Sequence, residues 1–165
     1  MLYKKIELII SFVKRKIDQE TLVQKYIENF DEINICYEIE LSMLEENSDA
    51  IEYFLYFGAL LKYEYTCIYI LNILILMQWN NSHGDLARLL QRYKDPSSAD
   101  ALYQVSNFEL EYLDFDDSYA LAVKCIWGLG DIGTSEALDK LKILSTSDNE
   151  VIKENAINQL KRHSK

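Results

Sequence analysis

Backbone breakers are scarce along these 165 residues: Pro96 is the single proline, and only five glycines are present. A chain with so few forced bends, rich in Leu, Ile, Glu and Lys, is expected to fold as helices joined by short turns. Nearly half of the residues are apolar, so the chain has the means to bury a core and is not of the disordered class. The expectation is one all-α domain over 1–165, of about ten helices in antiparallel pairs, with a non-repeating half (1–80) and a repeat-like half (81–165).

Apolar spacing and capping residues place the helices. The first spans 2–16, with Ile6, Ile9, Ile10 and Val13 on one face. Asp18 caps the second, 19–30. The third covers about 33–46. Asp49 with Glu52 reads as a capping box for a fourth, ending near Leu61. The most apolar stretch, Tyr65 to Trp79, predicts a fifth helix over 63–79, enclosed by others. At fifteen residues including Asn72, that stretch is short of the ~20 that a bilayer span needs. Asn80 to Asp85 is a loop, followed by a helix over 85–93. Asp95-Pro96 is a cap and first-turn proline for a helix to about 113. The last three helices are expected at 118–130, capped by Asp117, at 135–145, and at 149–162, capped by Ser147 or Asp148.

The last third of the chain is self-similar at a spacing of 31 residues. Leu110 matches Leu141, Leu113 matches Leu144, Asp117 matches Asp148, Leu121 matches Ile152, Cys125 matches Ala156, Ile126 matches Ile157, and Leu129 matches Leu160. Matched positions are the inward apolar ones plus the helix cap, as stacked helix pairs require. Unmatched positions are informative too: Glu109 and Glu111 align with Lys140 and Lys142, and Asp114 and Asp116 with Ser145 and Ser147. Packing therefore does not demand these acids.

Charge is segregated. Residues 31–61 carry eight acidic and no basic side chains, and residues 95–117 carry seven acidic and none basic, within a net charge of −10. Phosphate recognition wants Lys and Arg, so direct nucleic-acid binding is disfavoured and a basic protein partner is favoured. The three cysteines, Cys36, Cys67 and Cys125, lack metal-ligand spacing and read as reduced, buried thiols in a reducing compartment. No His pair suits zinc, and neither a phosphate-binding loop nor a nucleophile elbow is present. Residues 114–125 lack the central glycine and terminal Glu of a calcium loop. The expectation is a binding protein rather than an enzyme, with no cofactor, no metal and no membrane anchor.

The stretch Ala122-Val-Lys-Cys-Ile-Trp-Gly-Leu-Gly-Asp-Ile-Gly133, with Thr134 to Leu141 after it, resembles a bacterial HEAT-like repeat. The likeness extends over 96–163. A small, acidic protein with such an end also looks like the immunity proteins of contact-dependent growth inhibition and related polymorphic toxin systems. That resemblance implies a cytoplasmic protein that binds and neutralises a cognate toxin domain, commonly a basic nuclease. On this reading Glu109, Glu111, Asp114 and Asp116 meet the toxin's Lys and Arg. Tyr112, Phe115, Tyr119 and Trp127 supply apolar anchors. Acids of 38–52 form a secondary surface. The alternative is a HEAT-like adaptor or scaffold for another cytoplasmic partner.

Overall fold

The computed structural model describes residues 1–113 and 118–164 and is all-helical there, with ten α-helices. The chain forms two compact units, Met1–Cys67 and Ile68–Lys165. No helix among the described residues is long and apolar enough to cross a membrane.

The first unit holds α1 (Leu2–Val13), α2 (Gln19–Phe30), α3 (Ile35–Leu44) and α4 (Ser48–Leu60). Side chains that satisfy the free amides of a first turn set three of these starts. Asp18 accepts from the Thr21 amide at 2.8 Å, Asn34 from Tyr37 at 3.1 Å and Asn47 from Ala50 at 3.0 Å. Asn47 therefore takes the role expected of Asp49. Its side chain reaches the amide three residues on, and Asp49 is already inside the helix. Ile9, Leu22, Tyr26, Ile39, Ile51, Phe54 and Phe57 are fully buried and form the core. α1 packs on α2, α3 and α4, and α3 packs on α4.

Two expectations for this unit are corrected. Cys36 and Cys67 are joined by a disulfide across 31 residues, so only Cys125 is a free thiol. Glu38, counted among the displayed acids, is buried and ion-paired with buried Lys5. It sits three residues after Ile35 and one before Ile39, on the face of α3 that the core claims. Glu40, Glu45, Glu46, Asp49 and Glu52 are exposed.

The second unit holds α5 (Ile68–Leu74), α6 (His83–Tyr93), α7 (Ala99–Val105), α8 (Ala120–Ile132), α9 (Ser135–Leu144) and α10 (Glu150–His163). The expected long helix over 63–79 is reduced to the seven residues of α5. Asn80, fully buried, explains its end. Its amide nitrogen donates to the carbonyls of Leu74 and Met77 at 2.9 and 2.8 Å, and its oxygen accepts from the Ser82 amide at 2.8 Å. One side chain thus folds 75–82 into a compact turn and satisfies carbonyls that a longer helix would have used. Nor is α5 enclosed, since Tyr69 and Ile73 are exposed.

The helix expected over 96–113 stops at Val105. Ser106 and Asn107 both donate to the Tyr103 carbonyl, at 2.6 and 3.0 Å, and turn the chain away. A short 3₁₀ turn follows at Glu111–Leu113. Asp95 does cap its segment, accepting from Ser97 at 2.9 Å ahead of a 3₁₀ turn at Pro96–Ser98. α8 begins at Ala120, and the Tyr119 side chain before it does not cap it; Asp117, the expected cap, lies outside the described residues. Asn149 caps α10 in place of Ser147 or Asp148, accepting from Val151 and Ile152.

α8 is the hub of this unit, packing against α6, α7, α9 and α10. Two of its glycines have distinct jobs. A Cβ at Gly130 would collide with the Gln159 side chain, so glycine there lets α10 approach closely. Gly133 ends the helix at φ +65°, a left-handed conformation that favours glycine. Leu121, Cys125, Leu129, Leu141, Ile152 and Ala156 of the 31-residue repeat are buried, while Ile157 and Leu160 are half-buried.

Candidate functional site

The candidate residues belong to the second unit and lie in two groups, one where the first turn of α6 meets the chain leaving α7, the other on and just before α8. Glu109 and Glu111 are exposed, with Leu110 buried between them, because the chain alternates as it enters the 3₁₀ turn. Among the described residues neither glutamate takes part in an ion pair. Lys140, the repeat counterpart of Glu109, lies 2.7 Å from Asp100 and 3.5 Å from Glu136. Lys142, the counterpart of Glu111, lies 2.7 Å from Asp139. The repeat thus spends its lysines on other carboxylates and, among the described residues, leaves the two glutamates unpaired.

Tyr112 is 38 % exposed, and its hydroxyl lies 2.9 Å from His83 Nδ1. The two rings stack at 5.7 Å and 28°, and Phe108 meets the imidazole edge-on. His83 itself is fully buried. Burial, opposed by the Met77 carbonyl, brings its pKa down from 6.5 to about 4. At neutral pH the imidazole is therefore uncharged. Burial raises the pKa of the Tyr112 hydroxyl, a hydrogen bond from the His83 backbone opposes it, and the charge of Asp85 adds to the rise, so Tyr112 stays protonated. Lys124 of α8 lies against Gly84, beside this pair. The outcome is an exposed aromatic ring with its hydroxyl tethered from inside the protein.

Tyr119 precedes α8 with φ +53° and is 46 % exposed. Trp127 is 44 % exposed on α8. Its indole donates to Asn155 at 3.3 Å, and the Arg162 guanidinium lies 5.6 Å from the ring centre. Arg162 also binds Asp131 at 3.0 Å, and Gln91 donates to the same carboxylate at 2.8 Å. Burial opposes the charge on Asp131, but the hydrogen bonds from Gln91 and Arg162 outweigh it and hold the carboxyl below its usual range. Trp127 is thus a half-open ring in a fixed pose. Asp114, Phe115 and Asp116 lie outside the described residues.

His83 falls within the loop expected over Asn80 to Asp85, yet it opens α6 and reaches Tyr112. Its tie to Tyr112 spans 29 residues and leaves no local pattern. Among the described residues no group of His, Cys, Asp or Glu could hold a metal ion. Cys125, deeply buried, has its thiol pushed up to about 12, which makes it a poor nucleophile.

Buried neutral His83 sets a pH dependence. Its folded pKa lies below its unfolded one, so the unfolded chain gains a proton first. Stability is complete above pH 6.5 and falls as pH drops toward 4. Urea unfolding at pH 7 and pH 5 should differ by about 1–2 kcal/mol, from a slope of at most about 1.4 kcal/mol per pH unit. In His83→Phe that difference should largely vanish. An equal difference in the variant would assign the pH response to other groups.

No family model, curated protein or solved structure was found to match the chain.

Proposed function

We propose that this protein is an immunity-type inhibitor that binds and neutralises a cognate toxin domain, with HEAT-like packing of α8, α9 and α10 as the scaffold. The observation that carries this reading is the pairing of unneutralised Glu109 and Glu111 with a pinned, exposed Tyr112. Free carboxylates suit the lysines and arginines that a nuclease uses on nucleic acid. A tyrosine already held by His83 loses little freedom on binding, which favours a slow off-rate. Tyr119 and Trp127 extend the aromatic component, and the reading also assigns Asp114, Phe115 and Asp116 to the contact. It requires neither catalytic residue nor cofactor.

The place of action in this reading is the cytoplasm, where a nuclease meets its substrate. There the Cys36–Cys67 bond faces reducing thiols, and such bonds in that compartment are usually transient or redox-sensing.

The test is protection in cells. A toxin domain recovered with the chain by pull-down from its native strain is induced with and without the protein. Growth rescued by the wild type and lost with Glu109→Lys/Glu111→Lys supports the reading. Absence of rescue by a well-expressed, folded wild-type chain overturns it.

A further inference from the structure

We infer that the Cys36–Cys67 disulfide is a reducible latch that holds residues 61–67 on the first unit and is opened by a dithiol reductant. The bond joins the first turn of α3 to the last residue of that unit, with its Cα atoms 5.9 Å apart. Between Leu61 and Cys67 the chain is not helical. Its amides at Lys62 and Tyr63 still bond back to Ala59 and Gly58, at 3.2 and 2.8 Å. Beyond Tyr63, buried Tyr65 sits against Gly58 and the Tyr63 ring, and the disulfide is the covalent hold on Cys67.

The rest of the unit is built without this bond. α1, α3 and α4 pack on one another around Ile9, Ile39, Ile51 and Phe54, all fully buried, and the Lys5–Glu38 pair ties α1 to α3. Opening the bond removes the one covalent hold on this short segment, which then opens locally, and leaves the helical core standing. This is what separates a latch from a staple of the whole fold. The inference does not depend on the proposed binding function.

The chemistry is thiol–disulfide exchange. A reductant thiolate attacks one sulfur, forms a mixed disulfide and expels the other cysteine as a thiolate. The reductant's second thiol, deprotonated, then closes on its own sulfur and releases the remaining cysteine. Two electrons and two protons pass to the protein, and the reductant leaves as a disulfide. Cys36 and Cys67 are 9 % and 5 % exposed, so attack follows a local opening of the segment. Buried Cys125 is fully enclosed and does not compete.

Exposed Lys62 makes the latch readable, because its φ of +52° is not the extended form a protease needs. The full-length chain, oxidised or treated with dithiothreitol, is given trypsin, and cleavage after Lys62 is followed by mass spectrometry. Amide exchange is followed over 61–67 and over α8 as an internal reference. The expected result is at least tenfold faster cleavage at Lys62 and faster exchange over 61–67 on reduction, with α8 unchanged. Cys36→Ser/Cys67→Ser should behave the same way without reductant. Three contrary results each overturn the inference: unchanged rates on reduction, faster exchange in α1–α4 as a whole, or alkylation of all three cysteines in unreduced, denatured protein.

Discussion

Replacing Lys5 with alanine is expected to destabilise the first unit by about 3–5 kcal/mol, the usual cost of leaving a buried charge without its partner. Glu38 retains 2 % of its side-chain surface and Lys5 7 %, so water cannot replace the lost ammonium. The ammonium also lies 5.9 Å from the Tyr26 ring centre and 5.4 Å from that of Phe30, and these contacts go with it. Burial, and after it the charge of Glu38, hold the Tyr26 hydroxyl far above its ordinary pKa, so it stays neutral and brings no positive charge to replace the ammonium. Replacing both members, as Lys5→Met/Glu38→Leu, removes the desolvation cost together with the attraction. The double variant should lie within about 1 kcal/mol of wild type or above it. Urea unfolding of the three proteins decides this. A single variant as stable as wild type would mean that the pair is not enclosed.

Leu129→Ala should cost about 2–5 kcal/mol in the second unit. Leu129 is fully buried on α8, the helix against which α6, α7, α9 and α10 all pack. The close approach at Gly130 and Gln159 leaves the surrounding backbone little room to collapse into the vacated volume. Leu160, its counterpart 31 residues later, is half-buried. Leu160→Ala is therefore expected to cost clearly less, about 1–2 kcal/mol, because less apolar surface is at stake. Equal losses at the two sites would show that the last helix pair is covered as fully as α8.

What the sequence made legible was local. Asp18 and Asp95 with Pro96 act within one turn, and the structure places them as their chemistry dictates. What escaped depended on distance. Cys36 and Cys67 find each other across 31 residues, with no spacing signature, and an odd cysteine count hid the pair. Asn80 shortens the apolar helix through carbonyls six and three residues back, where composition alone favoured helix. Glu38 lay in a run of acids, and its placement on the Ile35–Ile39 face of α3 was the available clue. Lys5, next to Ile6 on the buried side of α1, was the matching one.

The candidate face divides the same way. Acidity at Glu109 and Glu111 was visible because the repeat supplies lysines at the same places. The reason Tyr112 stands fixed was not visible, since His83 comes from another helix. A histidine beside a polar loop gives no hint that it will be fully buried under an aromatic ring.

The measurement that bears most directly on the proposed binding face is the affinity of the cognate toxin domain for wild type and for Glu109→Lys/Glu111→Lys, at about 50 mM and 300 mM salt. A Debye length of about 14 Å shrinks to about 6 Å over that range, so surface attraction should weaken strongly. At least a hundredfold loss of affinity is expected in the variant at low salt. Wild type should show a steep salt dependence that is flattened in the variant, with circular dichroism unchanged. Equal affinity and equal salt dependence in the two proteins would contradict the proposed binding face.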